Sequence, residues 1–154
     1  MMLSTARLIH CLPDLRDEPL NWLPVDVAAQ AFLETTQGGG GSGGEMPVFH
    51  VLNPHRTPTW RTMLGWLQKK EKFDVVEPKE WVSRLEESDQ TQHSALKLLG
   101  LWKEAYGSGD VVAEQRPAFA MVETEKCVRT LRSVKPLDEA YVGRVWDWVM
   151  KEVR

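Results

Sequence analysis

The chain is poor in cysteine, has no long apolar run and carries little net charge. Its two cysteines, Cys11 and Cys127, lie 116 residues apart, and neither has a cysteine or histidine at zinc-site spacing. We therefore expect two free thiols, with a single long-range disulfide as the alternative. No segment approaches the roughly 20 consecutive apolar residues that span a bilayer. Arg7 and His10 interrupt the N-terminal apolar run, and the acidic residues Asp14, Asp17 and Glu18 follow at once, which suits neither a secretory nor a transit peptide. We therefore expect a cytoplasmic chain with no membrane segment.

The charge balance excludes a general nucleic-acid binder. Nineteen Lys+Arg stand against 22 Asp+Glu, which gives a net charge of -3 rather than the strongly basic balance of that class. One local exception precedes the last predicted helix, and we call it the basic strip: Arg116, Lys126, Arg129, Arg132 and Lys135. Such a strip is either a solvated face or a contact for an acidic protein.

Motifs for independent catalysis are absent from the sequence. There is no G-x-S-x-G nucleophile elbow. The residues four positions after Tyr106 and Tyr141 are Asp110 and Val145, so the Tyr-x-x-x-Lys pairing of short-chain reductases is missing. The four histidines share no helical face and predict no metal site. Among them His55 is best placed for chemistry, because turns that follow strands gather binding residues, although plain exposure is the alternative.

A glycine tract at residues 38–44 matches the sequence pattern of the dinucleotide-binding fingerprint but not its structural context. Gly39, Gly41 and Gly44 satisfy G-x-G-x-x-G within GGGGSGG. The dinucleotide fingerprint must follow a strand and open a helix, whereas this tract follows a predicted helix and leads into a predicted strand. We therefore predict a flexible loop, either natural or an engineered linker.

Periodicity predicts a helix-rich α/β chain with few short strands, organised as a single lobe over residues 1–154. The strands are predicted at residues 20–25, 47–52 and 73–76. Helices are predicted at residues 2–12, 27–35, 95–105 and 138–153. Two more are predicted to begin at Pro58, with Thr57 as the N-cap, and at Pro78. Three strands cannot form a closed sheet, so helices must cover their edges or a neighbouring body must pair with them.

Seven tryptophans are the most unusual feature that is present. Most of them fall at core spacing on the predicted helices, where packing explains them. Trp66 and Trp148 lie off the main apolar stripes, and we predict that they line a pocket or meet a partner surface.

Five segments in this order resemble the C-terminal part of a thioester reductase domain of the extended short-chain dehydrogenase/reductase family. Such domains end nonribosomal peptide synthetases, polyketide synthases and carboxylic acid reductase-like enzymes. The segments are LNWLPVDVAAQAFLE, VFHVLNPHRTPTWRTMLGWL, FDVVEPKEWVSRL, HSALKLLGLWKEAYG and VETEKCVRTLRSVKPLDEAYVGRVWDWV. The resemblance covers nearly the whole chain apart from the glycine tract, and its specificity lies in the ordered set.

The resemblance implies a substrate-binding lobe whose Rossmann lobe lies outside this sequence. In the family, the Rossmann lobe binds NADPH and carries the catalytic Tyr and Lys, so no catalytic or cofactor-binding residue is carried over to this chain. Asn53 and Pro54 match the family at the seam between lobes. With His55 and Trp66 they are the candidate substrate-cleft residues.

The partners that the resemblance implies are the Rossmann lobe and an acyl or peptidyl carrier protein with its phosphopantetheine thioester. The parent enzyme would release the acyl group as an aldehyde or alcohol, and the isolated chain would be inactive. Arg129, Arg132 and Lys135 are the candidate carrier-protein contacts. The alternatives are a stand-alone carrier-protein interaction module and an enzyme completed by a separate Rossmann chain. The strand expected at residues 49–52 would expose an unpaired edge and favour a homodimer.

Overall fold

The computed structural model describes residues 2–38, 48–88, 93–108 and 121–152, and within them the chain is helix-rich with two short strands. This confirms the expected helix-rich α/β class. The strands are β1 (Cys11–Pro13) and β2 (Asp74–Val76). The helices are α1 (Thr5–Ile9), α2 (Val25–Gly38), α3 (Trp60–Gln68), α4 (Pro78–Glu86), α5 (Leu99–Tyr106), α6 (Val122–Cys127), α7 (Arg129–Ser133) and α8 (Glu139–Glu152), with a 3₁₀ turn at Ser94–Leu98. None of these helices is long and apolar enough to cross a membrane.

The chain divides into two compact units, each built from segments that are distant in sequence. The first unit comprises Met1–Glu18, Thr59–Ala113 and Asp138–Arg154. The second unit comprises Pro19–Pro58 and Glu114–Leu137. Nothing in the periodicity of the sequence indicates this division.

The two strands form a parallel pair in the first unit. Cys11, Leu12 and Pro13 pair with Asp74, Val75 and Val76 respectively. The strand at residues 73–76 is confirmed, but the helix predicted at residues 2–12 is wrong beyond Ile9. His10 ends α1 with a left-handed φ of 52°, and β1 follows at once. Backbone pairing with β2, about sixty residues away, decides the strand, and no local pattern contains that information.

A tryptophan-centred core holds α4 and α5 together in the first unit. The Trp81 side chain is fully buried, and its ring centroid lies 4.8 Å from that of Trp102. The Trp81 indole N–H donates a 3.0 Å hydrogen bond to Thr5 Oγ1 on α1. Val82 and Leu85 share the buried face, as the spacing after Pro78 predicts.

The second helical layer of the first unit is the packed pair α3 and α8. The spacing of apolar residues predicts that Trp60, Met63, Leu64 and Leu67 face inward on α3, and all four are buried. On α8 it predicts an inward face of Val142, Val145, Trp146, Val149 and Val153. Of these, Val142, Trp146 and Val149 are buried and Val145 is half-buried, while Val153 lies outside the described residues. Helix α3 begins later than predicted. Its cap is Thr59, whose Oγ1 accepts the Thr62 N–H, and the Thr57-Pro58 bond that precedes it is cis.

The second unit packs α2 against α6 and α7, with Ala31, Val128 and Leu131 fully buried at the centre. Two predicted strands are wrong in this unit. Residues 20–24 form no strand, and α2 begins at Val25. Residues 48–52 are also irregular, and the His50 N–H donates to the Thr124 hydroxyl rather than to a strand. The strand edge expected to favour a homodimer is therefore not formed.

The predicted loop at residues 38–44 lies almost entirely outside the described residues. Gly38 is the last residue of α2.

Candidate interaction surface

Asn53 is a buried structural link in the second unit. Its Nδ2 donates a 2.9 Å hydrogen bond to the Trp22 carbonyl oxygen, and its Oδ1 accepts a 3.0 Å bond from the His55 N–H. The second bond closes an Asx turn, the local geometry that asparagine favours before a proline. Because both ends of the amide are bonded to backbone, Asn53 fixes the turn at Pro54 and joins it to the segment before α2.

His55 ties the same turn to the segment that follows α7. Its Nε2 lies 2.8 Å from the Val134 carbonyl oxygen. A carbonyl oxygen only accepts, so Nε2 carries the proton.

The structure brings three of the four predicted cleft residues together. Asn53, Pro54 and His55 share one turn of the second unit, with Pro54 and His55 half-buried. Trp66 is half-buried on α3 and belongs to the first unit.

The basic strip places three exposed cations on the second unit. Arg129 and Arg132 are exposed on α7, and Lys135 is exposed just after it. Lys126 differs from them, because its Nζ lies 2.6 Å from the Glu123 carboxylate. Among the residues that the structure describes, no carboxylate pairs with Arg129, Arg132 or Lys135, and Arg116 lies outside the described residues.

A carboxylate from α2 positions the helix that carries these cations. Glu34 accepts hydrogen bonds from the Thr130 N–H at 3.0 Å and from the Thr130 hydroxyl at 2.7 Å. Helix α7 has no side-chain cap from its own N-cap residue, Val128. Glu34 therefore satisfies the first turn of α7 and complements its dipole. Sequence reasoning missed this contact, since Glu34 and Thr130 are 96 positions apart.

Glu34 should titrate with a pKa below the ordinary glutamate value of about 4.3, because the two bonds from Thr130 favour its charged form. Since the folded pKa is lower than the unfolded one, the stability that this carboxylate contributes is fully present above the unfolded pKa. It is lost as the pH falls through the folded pKa. An NMR titration of the Glu34 carboxyl carbon measures this shift.

The Thr130→Val variant removes the hydroxyl donor and keeps the N–H, so the pKa of Glu34 should rise part of the way to its ordinary value. Asp14 of the first unit is the internal control. Its burial raises the pKa, but bonds from Arg61 and the Arg16 N–H outweigh burial and lower it, and this should not change in the variant. A Glu34 titration that is identical in both proteins would contradict the proposed cap.

The cysteines have the features of packing residues. Both thiols are free, as expected, and Cys11 is fully buried on β1. Burial raises the pKa of the Cys11 thiol, although Arg84 partly opposes this, so the thiolate is disfavoured. Within the described residues no group of three or more His, Cys, Asp or Glu side chains could hold a metal ion.

Comparisons of the chain with protein-family models, with curated proteins and with solved structures give no match.

Proposed function

We propose that this chain is the substrate-binding lobe of an NADPH-dependent thioester reductase, and that its second unit docks an acyl or peptidyl carrier protein. The observation that carries the proposal is the set of three exposed cations on and after α7, none of which pairs with a carboxylate of the described residues: Arg129, Arg132 and Lys135. The reaction class comes from the ordered set of segments that resemble thioester reductase domains, and the exposed cations supply a docking surface for an acidic partner.

The docking surface is held rigid by contacts of its own unit. Leu131, a residue of α7, is fully buried, and Glu34 binds the first turn of that helix. Arg129 and Arg132 are three positions apart, so they project from neighbouring positions on the helix surface. A surface that is ordered before binding loses less conformational entropy when the partner arrives.

Hydride chemistry is assigned to the Rossmann lobe in this proposal. The two tyrosines of the chain have packing roles, because Tyr106 lies edge-on to Trp81 at 6.3 Å and Tyr141 lies beneath the Arg144 guanidinium at 5.6 Å. Binding of NADPH and reduction of the thioester to an aldehyde or alcohol then require the lobe that carries the Tyr and Lys. The role of this chain is to bind and orient the acyl group and its carrier.

Titration with a phosphopantetheinylated carrier protein tests the docking surface. We expect the Arg129→Glu/Arg132→Glu variant to bind about tenfold more weakly, since two exposed ion pairs of up to about 1 kcal/mol each are lost. The affinity of the wild type should also fall as ionic strength rises. Heteronuclear NMR shifts of the α7 amides measure both effects.

The matched control reverses two exposed lysines of the first unit, Lys72→Glu/Lys97→Glu, and changes the net charge by the same amount. It should bind like the wild type apart from a small nonspecific loss. Equal affinity of the control and the α7 variant would remove the basic strip from the proposal. Release of aldehyde from an acyl carrier protein by this chain and NADPH alone would contradict its assignment as a lobe without catalytic residues.

A further inference from the structure

We infer that His93 is a pH-dependent cap, which holds the 3₁₀ turn Ser94–Leu98 closed while its imidazole is neutral and releases that turn when the imidazole is protonated. The turn lies in the first unit and leads directly into α5. The Ala95 N–H donates a 3.1 Å hydrogen bond to His93 Nδ1, and the Leu96 N–H donates a 3.0 Å bond to the His93 carbonyl oxygen. His93 therefore accepts from two successive backbone N–H groups at the start of this turn.

The hydrogen bond from Ala95 fixes the protonation state of the His93 ring. A backbone N–H only donates, so Nδ1 carries no proton while it accepts this bond, and the neutral ring has its proton on Nε2. In the imidazolium form both ring nitrogens are donors. The protonated Nδ1 would then face the Ala95 N–H, and the bond could not form.

Burial makes the loss of this bond unfavourable in the closed turn. His93 is 8% exposed and Ala95 is fully buried. A buried backbone N–H that loses its acceptor is destabilising, and a charged ring is more stable in water than in the interior. Both groups reach water only when the turn opens. Protonation of this one side chain therefore favours opening.

The turn is part of the aromatic core of the first unit. Ala95 belongs to the buried cluster that contains Trp81 and Trp102, and Leu96 and Leu98 pack against that cluster at partly buried positions. Opening of the turn therefore withdraws Ala95 from the core and exposes the start of α5. The pH of the solution is in this way coupled to the packing of α5 against α4.

The surroundings of His93 favour its neutral form. Burial lowers the pKa of His93 from the ordinary value of 6.5, and the positive charge of the α-amino group of the chain lowers it further. That amino group ordinarily titrates at about 7.7–8.0, so it stays charged over the range in which histidine titrates. Lys97 of the turn and Glu104 of α5 are exposed. The other charges of α4 and α5 are exposed or paired with one another, Lys103 with Glu86 and Arg84 with Glu80.

The direction of the pH effect follows from the lowered pKa. Because the pKa of His93 is lower in the closed turn than in the open one, the stability that the cap contributes is fully present above the open-state pKa. It is lost as the pH falls through the closed-state pKa. The opening constant of the turn should therefore rise by up to about tenfold per pH unit between these two pKa values and level off below them.

Hydrogen exchange of the Ala95 amide, measured by NMR between about pH 7.5 and pH 5, tests the inference. After correction for the intrinsic pH dependence of exchange, the opening constant of the wild type should rise as stated. In His93→Asn the side-chain carbonyl oxygen keeps the cap and does not titrate, so the opening constant should change by less than about twofold. A wild type whose opening constant is independent of pH, or a variant that keeps the wild-type dependence, would overturn the inference.

His10→Asn is the matched control. His10 is an exposed histidine of the same unit, and its φ of 52° lies in the left-handed region that asparagine tolerates. This variant should keep the wild-type pH dependence at Ala95. A dependence that disappears in both variants would show that His93 is not the responsible group.

The wild type alone decides the inference if His93→Asn does not fold. Nitrogen-15 shifts of the His93 ring report which ring nitrogen is protonated and at what pH. We expect the Nε2–H form at neutral pH and a pKa below 6.5. A proton on Nδ1 at neutral pH, or a pKa at or above 6.5, would contradict the cap. None of these measurements involves a carrier protein, so the inference stands or fails separately from the proposed function.

Discussion

Replacing Trp81 with alanine should lower the free energy of unfolding of the first unit by about 3–5 kcal/mol. The side chain is fully buried, contacts the Trp102 ring, and donates its indole N–H to Thr5 Oγ1. Alanine leaves a cavity between α4 and α5 and removes the indole hydrogen bond that joins α4 to α1. The loss is a large share of the 5–15 kcal/mol by which domains are ordinarily stable. Urea unfolding followed by far-ultraviolet circular dichroism measures it.

One further variant separates the contribution of the Trp81 ring from that of its indole N–H, and a second variant serves as the control. Trp81→Phe keeps an aromatic side chain against Trp102 and loses the N–H donor, so its loss of stability should be smaller than that of alanine. Leu101→Ala, one position before Trp102 on the exposed face of α5, should change the unfolding free energy by no more than about 0.5 kcal/mol. Equal losses for Trp81→Ala and Leu101→Ala would show that Trp81 is not the centre of this core.

Helices whose burial follows from local spacing could be predicted from the sequence. Pro78 opens α4, and Trp81, Val82 and Leu85 face inward, because the 3.6-residue period alone places them on one side. The same reasoning finds Trp60 and Met63 on α3. The predicted N-cap of α3 is Thr57 and the observed one is Thr59. Both are threonines that suit an N-cap and flank the same proline, so only the fold selects Thr59.

Strands could not be predicted in this way, because a short strand exists only through its partner. Cys11–Pro13 lies in a segment with helical character, and pairing with Asp74–Val76 makes it a strand. Residues 48–52 have alternating apolar character but no partner strand in the described part of the chain. There the His50 N–H is bonded by a threonine hydroxyl instead. Backbone groups need a hydrogen-bond partner when buried, and a side chain serves as well as a strand.

The residue types of the candidate surface could be predicted from the sequence, but the contacts that position them could not. The cations on and after α7 are visible in the sequence as an excess of basic residues, and the structure shows Arg129, Arg132 and Lys135 exposed, with no carboxylate partner among the described residues. The role of Asn53 was not visible, since its amide could have faced a ligand as readily as the Trp22 carbonyl that it binds. The contact of Glu34 with Thr130 depends on two segments that only the tertiary fold brings together.

Leu131→Ala should destabilise the second unit by about 2–5 kcal/mol, because it removes a fully buried side chain from the centre of its small core. Ala31 on α2 and Val128 before α7 are the fully buried neighbours, and neither can fill the space. A loss of 2 kcal/mol corresponds to roughly thirtyfold faster exchange of amides that open with this unit. Hydrogen exchange measured by mass spectrometry should show the acceleration in α2 and α7.

Val122→Ala is the control for this variant, because Val122 is exposed on α6 of the same unit and its truncation should leave exchange nearly unchanged. The same experiment links the core to the proposed docking surface. If Leu131 orders α7, its truncation should weaken carrier-protein binding although every cation of the basic strip is still present. Unchanged exchange in α7 would show that Leu131 does not hold this helix in place. Carrier binding that persists despite faster exchange in α7 would show that the cations act without the ordered helix.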